Sequence, residues 1–451
     1  MVKKYQLKTF GQTLFIVFAV AVFCSLPVNT TAAQQLRLLT SFPPHFYTPF
    51  IEQFEKNYPD ISISILNKKA TSAIDEILRG NNRRFDLFWS SSIDAFDLLK
   101  SKQMLKQIQP QFQSETVTPA NMTLNDPDGY FYGFAISAIG WMWNNVFLEK
   151  HGLPVPSRWE DLENPVYYGH LTMSTPSRSG TTHLIVENIL QKYGWDDGWA
   201  YLMRISGNFA TITARSFGVP EGIESMRFGV GLVIDFLART KDNPAIGFTY
   251  GKPAFPVPAG IAELHNARNH DAAELFIHFV LSDEGQRILL KPDINRLPVS
   301  RDLLLEQTDK LTKLLQLIDG EELRSYDVNL SRQRYNLVNN LFDQLITFQL
   351  RERRQIWKRL ITLKRRAENN TAEFMETQTA VLKLITKNPV SSQDSLDPQL
   401  NEIFSHHDFG QKAYDRQRET IDSWNRFVTR KIEQSHQLLD QYEQRLPHPE
   451  G

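Results

Sequence analysis

Cysteine is all but missing from this chain: of 451 residues, Cys24 is the single thiol. One thiol builds no disulfide framework and offers no Cys-based zinc site, so stability has to come from a packed core. The eleven histidines are scattered, which leaves no clustered set for a metal. Charge of one sign is not in excess either, with 50 Lys and Arg against 51 Asp and Glu, and this argues against a general nucleic-acid binder. No Gly-x-Ser-x-Gly elbow and no recognisable Ser-His-Asp arrangement supply a hydrolase nucleophile. After the first 33 residues, no apolar run is long enough to cross a bilayer.

The N-terminus carries Lys3, Lys4 and Lys8, an apolar run from Leu14 to Phe23, and small residues ending at Thr31-Ala-Ala33. This order is that of a secretory signal peptide, residues 1–33, with the mature chain starting at Gln34. Cys24 lies inside it, preceded by bulky Phe23 where a lipid anchor needs a small residue. Removing the leader takes three lysines and moves the net charge from −1 to −4. Export and a thiol-free body point to the bacterial periplasm.

From Leu36 the pattern alternates strand and helix. Leu36, Leu38 and Thr40 alternate; Phe46, Phe50, Phe54 and Tyr58 repeat every four residues; Ile61, Ile63 and Ile65 alternate again. Phe85-Asp-Leu-Phe-Trp89 reads as a third strand, followed by Ser90 to Ser92 and a helix through Leu98 and Leu99. The result is a parallel α/β domain, with ligands expected at the carboxyl ends of its strands. A turn at Asp126-Pro-Asp-Gly129 precedes a long hydrophobic strand, Tyr132 to Trp143, which is expected to cross between two lobes. The boundaries read as lobe 1 over 34–140, lobe 2 over 141–250, a return to lobe 1 over 251–300, a helical extension packing on the lobes over 301–390 and a helical tail over 399–451. One amphipathic helix is expected between His270 and Arg287, and the last helix places Ile421, Trp424, Val428, Ile432, Leu439, Tyr442 and Leu446 on one seam. That seam packs on the body or on a partner.

The most informative stretch is Ser174-Thr-Pro-Ser-Arg-Ser-Gly-Thr-Thr182, between an alternating strand and an apolar helix. A helix start carries unpaired N–H groups and partial positive charge, and here hydroxyls and Arg178 join it. Phosphate or carboxylate suits such a cradle; the same residues also serve as ordinary N-caps.

Seven landmarks occur in order: Phe85-Asp-Leu-Phe-Trp-Ser-Ser91, Asp126-Pro-Asp-Gly-Tyr-Phe-Tyr-Gly133, Trp159-Glu-Asp-Leu, the Pro-x-x-Ser-Gly-Thr run from Pro176 to Thr181, Gly229-Val-Gly-Leu-Val-Ile-Asp235, Pro258-Ala-Gly-Ile261 and Phe279-Val-Leu-Ser-Asp-Glu-Gly-Gln286. Over residues 36 to 300 the chain resembles the extracytoplasmic solute-binding proteins of the iron(III)/phosphonate/sugar-phosphate type, and most closely their phosphoglycerate-regulatory branch. The resemblance implies a two-lobed, type II periplasmic-binding-protein fold, here with a C-terminal helical extension, that binds and does not transform its ligand. It further implies a small phosphorylated anion as ligand, no cofactor, and a membrane-bound sensor or transporter as partner. Direct uptake, as the binding component of an ATP-driven importer for phosphonate, sugar phosphate or iron, is the alternative output. Ser331-Arg-Gln-Arg-Tyr-Asn-Leu-Val-Asn-Asn-Leu-Phe-Asp343 resembles the helical extension of members with phosphorylated ligands. Iron-binding members place two tyrosines where this chain has Phe236 and Leu237; neither offers an anionic oxygen, so no metal is expected.

The expected ligand contacts are Ser177, Arg178, Ser179, Gly180, Thr181 and Thr182 from one lobe and Thr40, Ser41, Ser90 and Ser91 from the other. Arg215 and Ser216 follow an alternating run and offer a second positive group, or else a surface salt bridge. Asp235 ends an apolar strand, where its carboxylate meets ligand hydroxyls or anchors a neighbouring helix. Trp89, Trp141 and Trp143 read as core. Residues 351–366 form a basic amphipathic helix, read by default as a solvated face, with a transient contact with anionic lipid headgroups at the membrane surface or with an acidic patch on a membrane partner as the alternatives.

Overall fold

A computed structural model describes residues 34–91, 93–109, 124–241, 243–252, 254–306, 326–367, 371–404 and 411–446. The leader expected at 1–33 and Ser92 lie outside the described residues.

Lobe 1 opens with β1 (Gln34–Thr40), α1 (Pro44–Asn57), β2 (Ile61–Asn67), α2 (Ala70–Leu78), β3 (Leu87–Ser90) and α3 (Ile93–Ser101). β1 runs parallel to both β2 and β3, as right-handed strand–helix–strand crossovers require. The four-residue spacing of Phe46, Phe50 and Phe54 puts all three on the buried face of α1. With Phe42, Phe134 and Phe276, Phe46 and Phe50 surround the Trp89 ring at centroid distances of 5.1 to 5.6 Å. Trp89 is therefore core, and so is Trp141, whose indole donates to Pro156 O at 2.7 Å.

The turn Asp126–Gly129 closes with Gly129 at φ +82°, a conformation glycine adopts at least cost. It feeds β4 (Tyr132–Asn144), the strand that joins the lobes. Its first half pairs with β9 (Pro256–Glu263) and β10 (Leu297–Pro298); its second half pairs with β7 (Val230–Ile234) and β8 (Ile246–Tyr250). Lobe 2 continues through α4 (Asn145–His151), β5 (Leu171–Ser174), α5 (Gly180–Tyr193), α6 (Trp195–Ser206), β6 (Phe209–Thr213), α7 (Gly218–Glu224) and, after β7, α8 (Asp235–Arg239). Strand order along the whole path is β2-β1-β3-β9-β4-β7-β5-β6.

The single helix expected from His270 to Arg287 is two, α9 (His270–Leu281) and α10 (Asp283–Ile288). Ser282 breaks the run: its backbone is extended and its hydroxyl caps Gly285 N at 3.2 Å.

After α11 (Arg301–Leu305), the described part of the extension comprises α12 (Val328–Phe342), α13 (Leu350–Arg366), α14 (Thr371–Ile385), α15 (Pro398–Phe404) and α16 (Gln411–Arg445). α12 reaches both lobes through buried polar groups. Ser331 Oγ donates to Asp94 of α3 at 2.7 Å, while His183 of α5 meets Asn339 at 2.8 Å and Arg334 pairs with Glu187 of α5 at 2.7 Å. α13 packs on lobe 2, where the Trp357 ring covers Gly207 so closely that a Cβ there would lie 2.6 Å from it. The seam of α16 is turned inward: Trp424, Val428, Ile432, Leu439 and Tyr442 are buried. Half of the basic set on α13 is bound internally. Arg353 is buried against Ile385 O and Leu345 O, Arg354 donates to Ala210 O, and Arg359 and Arg366 pair with Glu443 of α16.

Candidate anion-binding crevice

Between the lobes lies a crevice built from the ends of strands and the starts of helices. Lobe 1 contributes Ser41 after β1, Ala70 at the start of α2 and Ser91 after β3. Lobe 2 contributes Arg178, Ser179, Gly180 and Thr181 at the start of α5, with Arg215, Ser216 and Phe217 from the turn after β6. Two helix N-termini thus converge on it. α5 is capped by Ser179, whose Oγ accepts from Thr182 N at 3.3 Å. α2 has Lys69 at its N-cap, no side-chain cap and no acid in its first turn, so its end-on positive potential is left uncompensated.

The lobes touch across the crevice. Ser91 Oγ stands 3.3 Å from Thr181 Oγ1, and Thr71 Oγ1 donates to Ser177 O at 2.7 Å. The free space is about 30 Å³, room for one or two water molecules. The arrangement is closed, and a larger ligand enters only when the lobes part.

Positive charge dominates the walls. Burial, then the facing guanidinium groups of Arg178 and Arg215, hold the Lys69 ammonium below its ordinary value. Burial likewise lowers Arg215, which lies over the Phe217 ring at 4.7 Å. Among the described residues, no carboxylate pairs with Lys69, Arg178 or Arg215. Three cations facing one another without an acid repel, and an anion placed among them relieves that repulsion.

Of the thirteen expected contacts, Ser41, Ser91, Arg178, Ser179, Gly180, Thr181, Arg215 and Ser216 line the crevice. The other five do not, and each has its polar atoms committed elsewhere. Thr40 Oγ1 donates to Trp89 O at 2.8 Å and accepts from Phe42 N, tying β1 to β3. Ser90 Oγ bonds Ser41 Oγ at 2.8 Å from behind. Thr182 Oγ1 bonds Ser174 Oγ, anchoring α5 to β5. Ser177 turns its hydroxyl to Thr175 Oγ1 at 3.0 Å. Asp235 is fully buried: it accepts from Arg239 Nη2 at 2.6 Å, Tyr250 Oη at 2.9 Å and Phe236 N at 2.7 Å. These bonds tie it to α8 and to β8, as the anchoring reading has it.

Lys69, Ala70 and Phe217 belong to the crevice surroundings and were not legible as such. A sequence signal for Lys69 existed. A lysine at a helix start, with no Ser, Thr, Asp or Asn to cap it, opposes the helix dipole, and a bound anion reverses that sign. Phe236 and Leu237, where iron-binding relatives carry tyrosines, are buried, and Phe236 faces the Arg296 guanidinium at 4.3 Å. Glu263, His270 and Glu274 come together on lobe 1. There, Glu263 already receives Lys106 Nζ at 3.3 Å and His270 at 2.9 Å.

Residues 82–324 match the model of the bacterial extracellular solute-binding protein family. The chain belongs to that family. This solute-binding protein is 32% identical over 367 residues to the phosphoglycerate transport regulatory protein PgtC of Salmonella typhimurium (strain LT2), covering 81% of this chain and 88% of PgtC. An uncharacterized protein of Haemophilus influenzae is 22% identical, over 51% of this chain and 68% of its own. Among solved structures, the periplasmic binding protein AfuA from Actinobacillus pleuropneumoniae, with fructose-6-phosphate bound, superimposes with TM-score 0.58 at 21% identity, over 69% of this chain and 98% of AfuA. A ferric binding protein from Campylobacter jejuni gives TM-score 0.53 at 20% identity, over 65% of this chain and 98% of that chain. These neighbours share the two-lobed fold of type II binding proteins, and this family member adds the helical extension to it. No helix among its described residues is long and apolar enough to cross a membrane.

Proposed function

We propose that this solute-binding protein is a periplasmic receptor for a small phosphorylated organic anion of the phosphoglycerate kind, exported by its leader, whose closed state acts on a membrane sensor regulating phosphoglycerate transport. The observation that carries this reading is the acid-free set Lys69, Arg178 and Arg215 around a crevice fed by two helix N-termini. Such a site favours a ligand with several negative charges and full phosphate oxygens. A ligand held by both lobes stabilises closure by its contacts in that state alone. A tenfold preference corresponds to about 1.4 kcal/mol, within reach of one or two charged hydrogen bonds.

The extension supports signalling over simple uptake. AfuA is matched by 69% of this chain, and PgtC by the larger share of 81%, or 367 residues, more than the α/β body, residues 34–300, contains. The match with that protein, named as a regulator, therefore takes in part of the chain beyond the body. Arg351, Lys358, Lys364 and Arg365 of α13 are exposed and, among the described residues, have no ion-pair partner; they remain for a transient membrane-surface contact.

The test is thermal melting of the chain from Gln34 with 3-phosphoglycerate, 2-phosphoglycerate, phosphoenolpyruvate, hexose phosphates, inorganic phosphate and ferric citrate. Ligand at a hundredfold above its Kd adds about 2.7 kcal/mol. Stabilisation by the phosphorylated acids supports the reading. Stabilisation by ferric citrate alone, or steady turnover of a phosphate ester lost on Arg178→Ala, overturns it.

A further inference from the structure

Arg296 is the most expensively placed cation in the described structure. It is 1% exposed, and its terminal nitrogens, Nη1 and Nη2, have no hydrogen-bond partner among the described residues. Among the described residues its side chain makes one hydrogen bond, Nε to Ser137 Oγ at 3.3 Å, on the stretch of β4 that passes between the lobes. Burying an ionised group without partners is costly, and structural arginines avoid it. This protein shows the contrast. Buried Arg353 reaches two carbonyl oxygens, and buried Arg334 forks onto Glu187. Asp235 attracts Arg296 from a distance, but its oxygens are held by Arg239, Tyr250 and Phe236 N.

The guanidinium is instead enclosed by rings from both lobes. Phe42 and Phe46 of lobe 1 lie 5.3 and 5.6 Å from its Cζ, and Phe236 of lobe 2 lies at 4.3 Å. Phe42 directly follows Ser41, which lines the anion crevice, so the ring cage and the crevice share a stretch of chain. On the opening that the proposed function requires, Phe236 of lobe 2 parts from Phe42 and Phe46 of lobe 1, which would uncover the unpaired edge of the fork between the lobes. A planar fork with two free donors matches a carboxylate.

We propose that Arg296 is a specificity-determining residue of the receptor, an anion anchor that selects ligands carrying a carboxylate in addition to the phosphate held by Lys69, Arg178 and Arg215. The inference rests on the proposed function and adds to it the second recognition element of the ligand.

The experiment is calorimetric titration and melting of the chain from Gln34 and of its Arg296→Met and Arg296→Lys variants. The probes are 3-phosphoglycerate, glycerol 3-phosphate, which lacks the carboxylate, and glycerate, which lacks the phosphate. The parent is expected to prefer 3-phosphoglycerate over glycerol 3-phosphate by tenfold or more. Arg296→Met is expected to bind the two alike, and Arg296→Lys to keep part of the preference. Unchanged discrimination in Arg296→Met overturns the proposal, as does a parent that binds both phosphates equally. If neither phosphate binds the parent, the proposed function fails and glycerate decides the anchor. Stabilisation of the parent but not of Arg296→Met by millimolar glycerate upholds it, and no difference rejects it. Should Arg296→Met not fold, Arg296→Lys carries the same comparison.

Discussion

Ser91 Oγ, from lobe 1, and Thr181 Oγ1, from lobe 2, stand 3.3 Å apart over the crevice. This contact and the Thr71–Ser177 bond beside it are neutral hydrogen bonds, each worth about 1 kcal/mol, so they mark closure without locking it. Ligand charge has to provide the rest. Replacing Arg178, exposed at the mouth, with Ala is expected to raise the Kd for 3-phosphoglycerate roughly tenfold or more by removing a charge-assisted contact. The unliganded melting temperature should stay level or rise, because one of three mutually repelling cations is gone. A fall in stability with unchanged Kd would reassign Arg178 to the fold.

Lys69→Gln tests the contact that the strand-end pattern did not reveal. Weaker binding of phosphorylated acids is expected, together with a shallower dependence of Kd on salt, since one fewer charge attracts the ligand. Binding measured between 50 and 300 mM salt reads both; an unaltered salt dependence counts against Lys69.

Asp235→Asn is expected to act on stability and not on ligand affinity. It disrupts a buried pair with Arg239 and leaves that cation uncompensated, at a cost of about 3 kcal/mol. The melting temperature should drop by several degrees. A selective loss of ligand affinity would return Asp235 to the binding site.

The buried group under α12 gives the stability a pH signature. Burial raises the Asp94 carboxyl to about 7, against hydrogen bonds from Tyr326 and Ser331 and with added repulsion from Glu187 and Asp97. A raised acid contributes fully below its unfolded value near 4. Between pH 4 and 7 the unfolded chain releases the proton that the folded chain keeps, so this contribution is lost as pH rises through 7. His183, lowered to about 4 mainly by burial, runs the other way: its penalty sets in as pH falls from 6.5 to 4. Asp94→Asn isolates the first effect. The variant should match the parent near pH 4 and melt a few degrees higher at pH 8; a constant difference across that range would show that Asp94 does not titrate there.

Most of the frame could be read from the residues because its signals are local. Phe46, Phe50 and Phe54 repeat on one turn spacing, Ile61, Ile63 and Ile65 alternate, and the run from Ser177 to Thr181 announces a helix start by its own hydroxyls. Lobe-spanning β4 was legible as an apolar stretch too long for an ordinary strand. What escaped depends on partners distant in the chain. Thr40 and Thr182 have the chemistry of ligand contacts, but Trp89 O and Ser174 Oγ take their hydroxyls. Asp94 and Ser331 meet across 237 positions, and nothing near either predicts the other. Helix α13 was read for its surface charge, while Arg353, Arg354, Arg359 and Arg366 face partners that only the folded chain supplies.

The shared strand β4 also imposes an order on assembly. As the chain emerges from its N-terminus, β1, β2 and β3 are present early, but the partner that joins β3 to β4 is β9, and lobe 2 lies wholly between them. Lobe 2 draws its strands from one continuous stretch and can close first. Until residues 256–263 arrive, β3 keeps an unpaired edge, the part of a sheet most prone to wrong pairing. The first lobe to be made is therefore the last to be finished, and its nascent edge is where a folding helper would have most to protect.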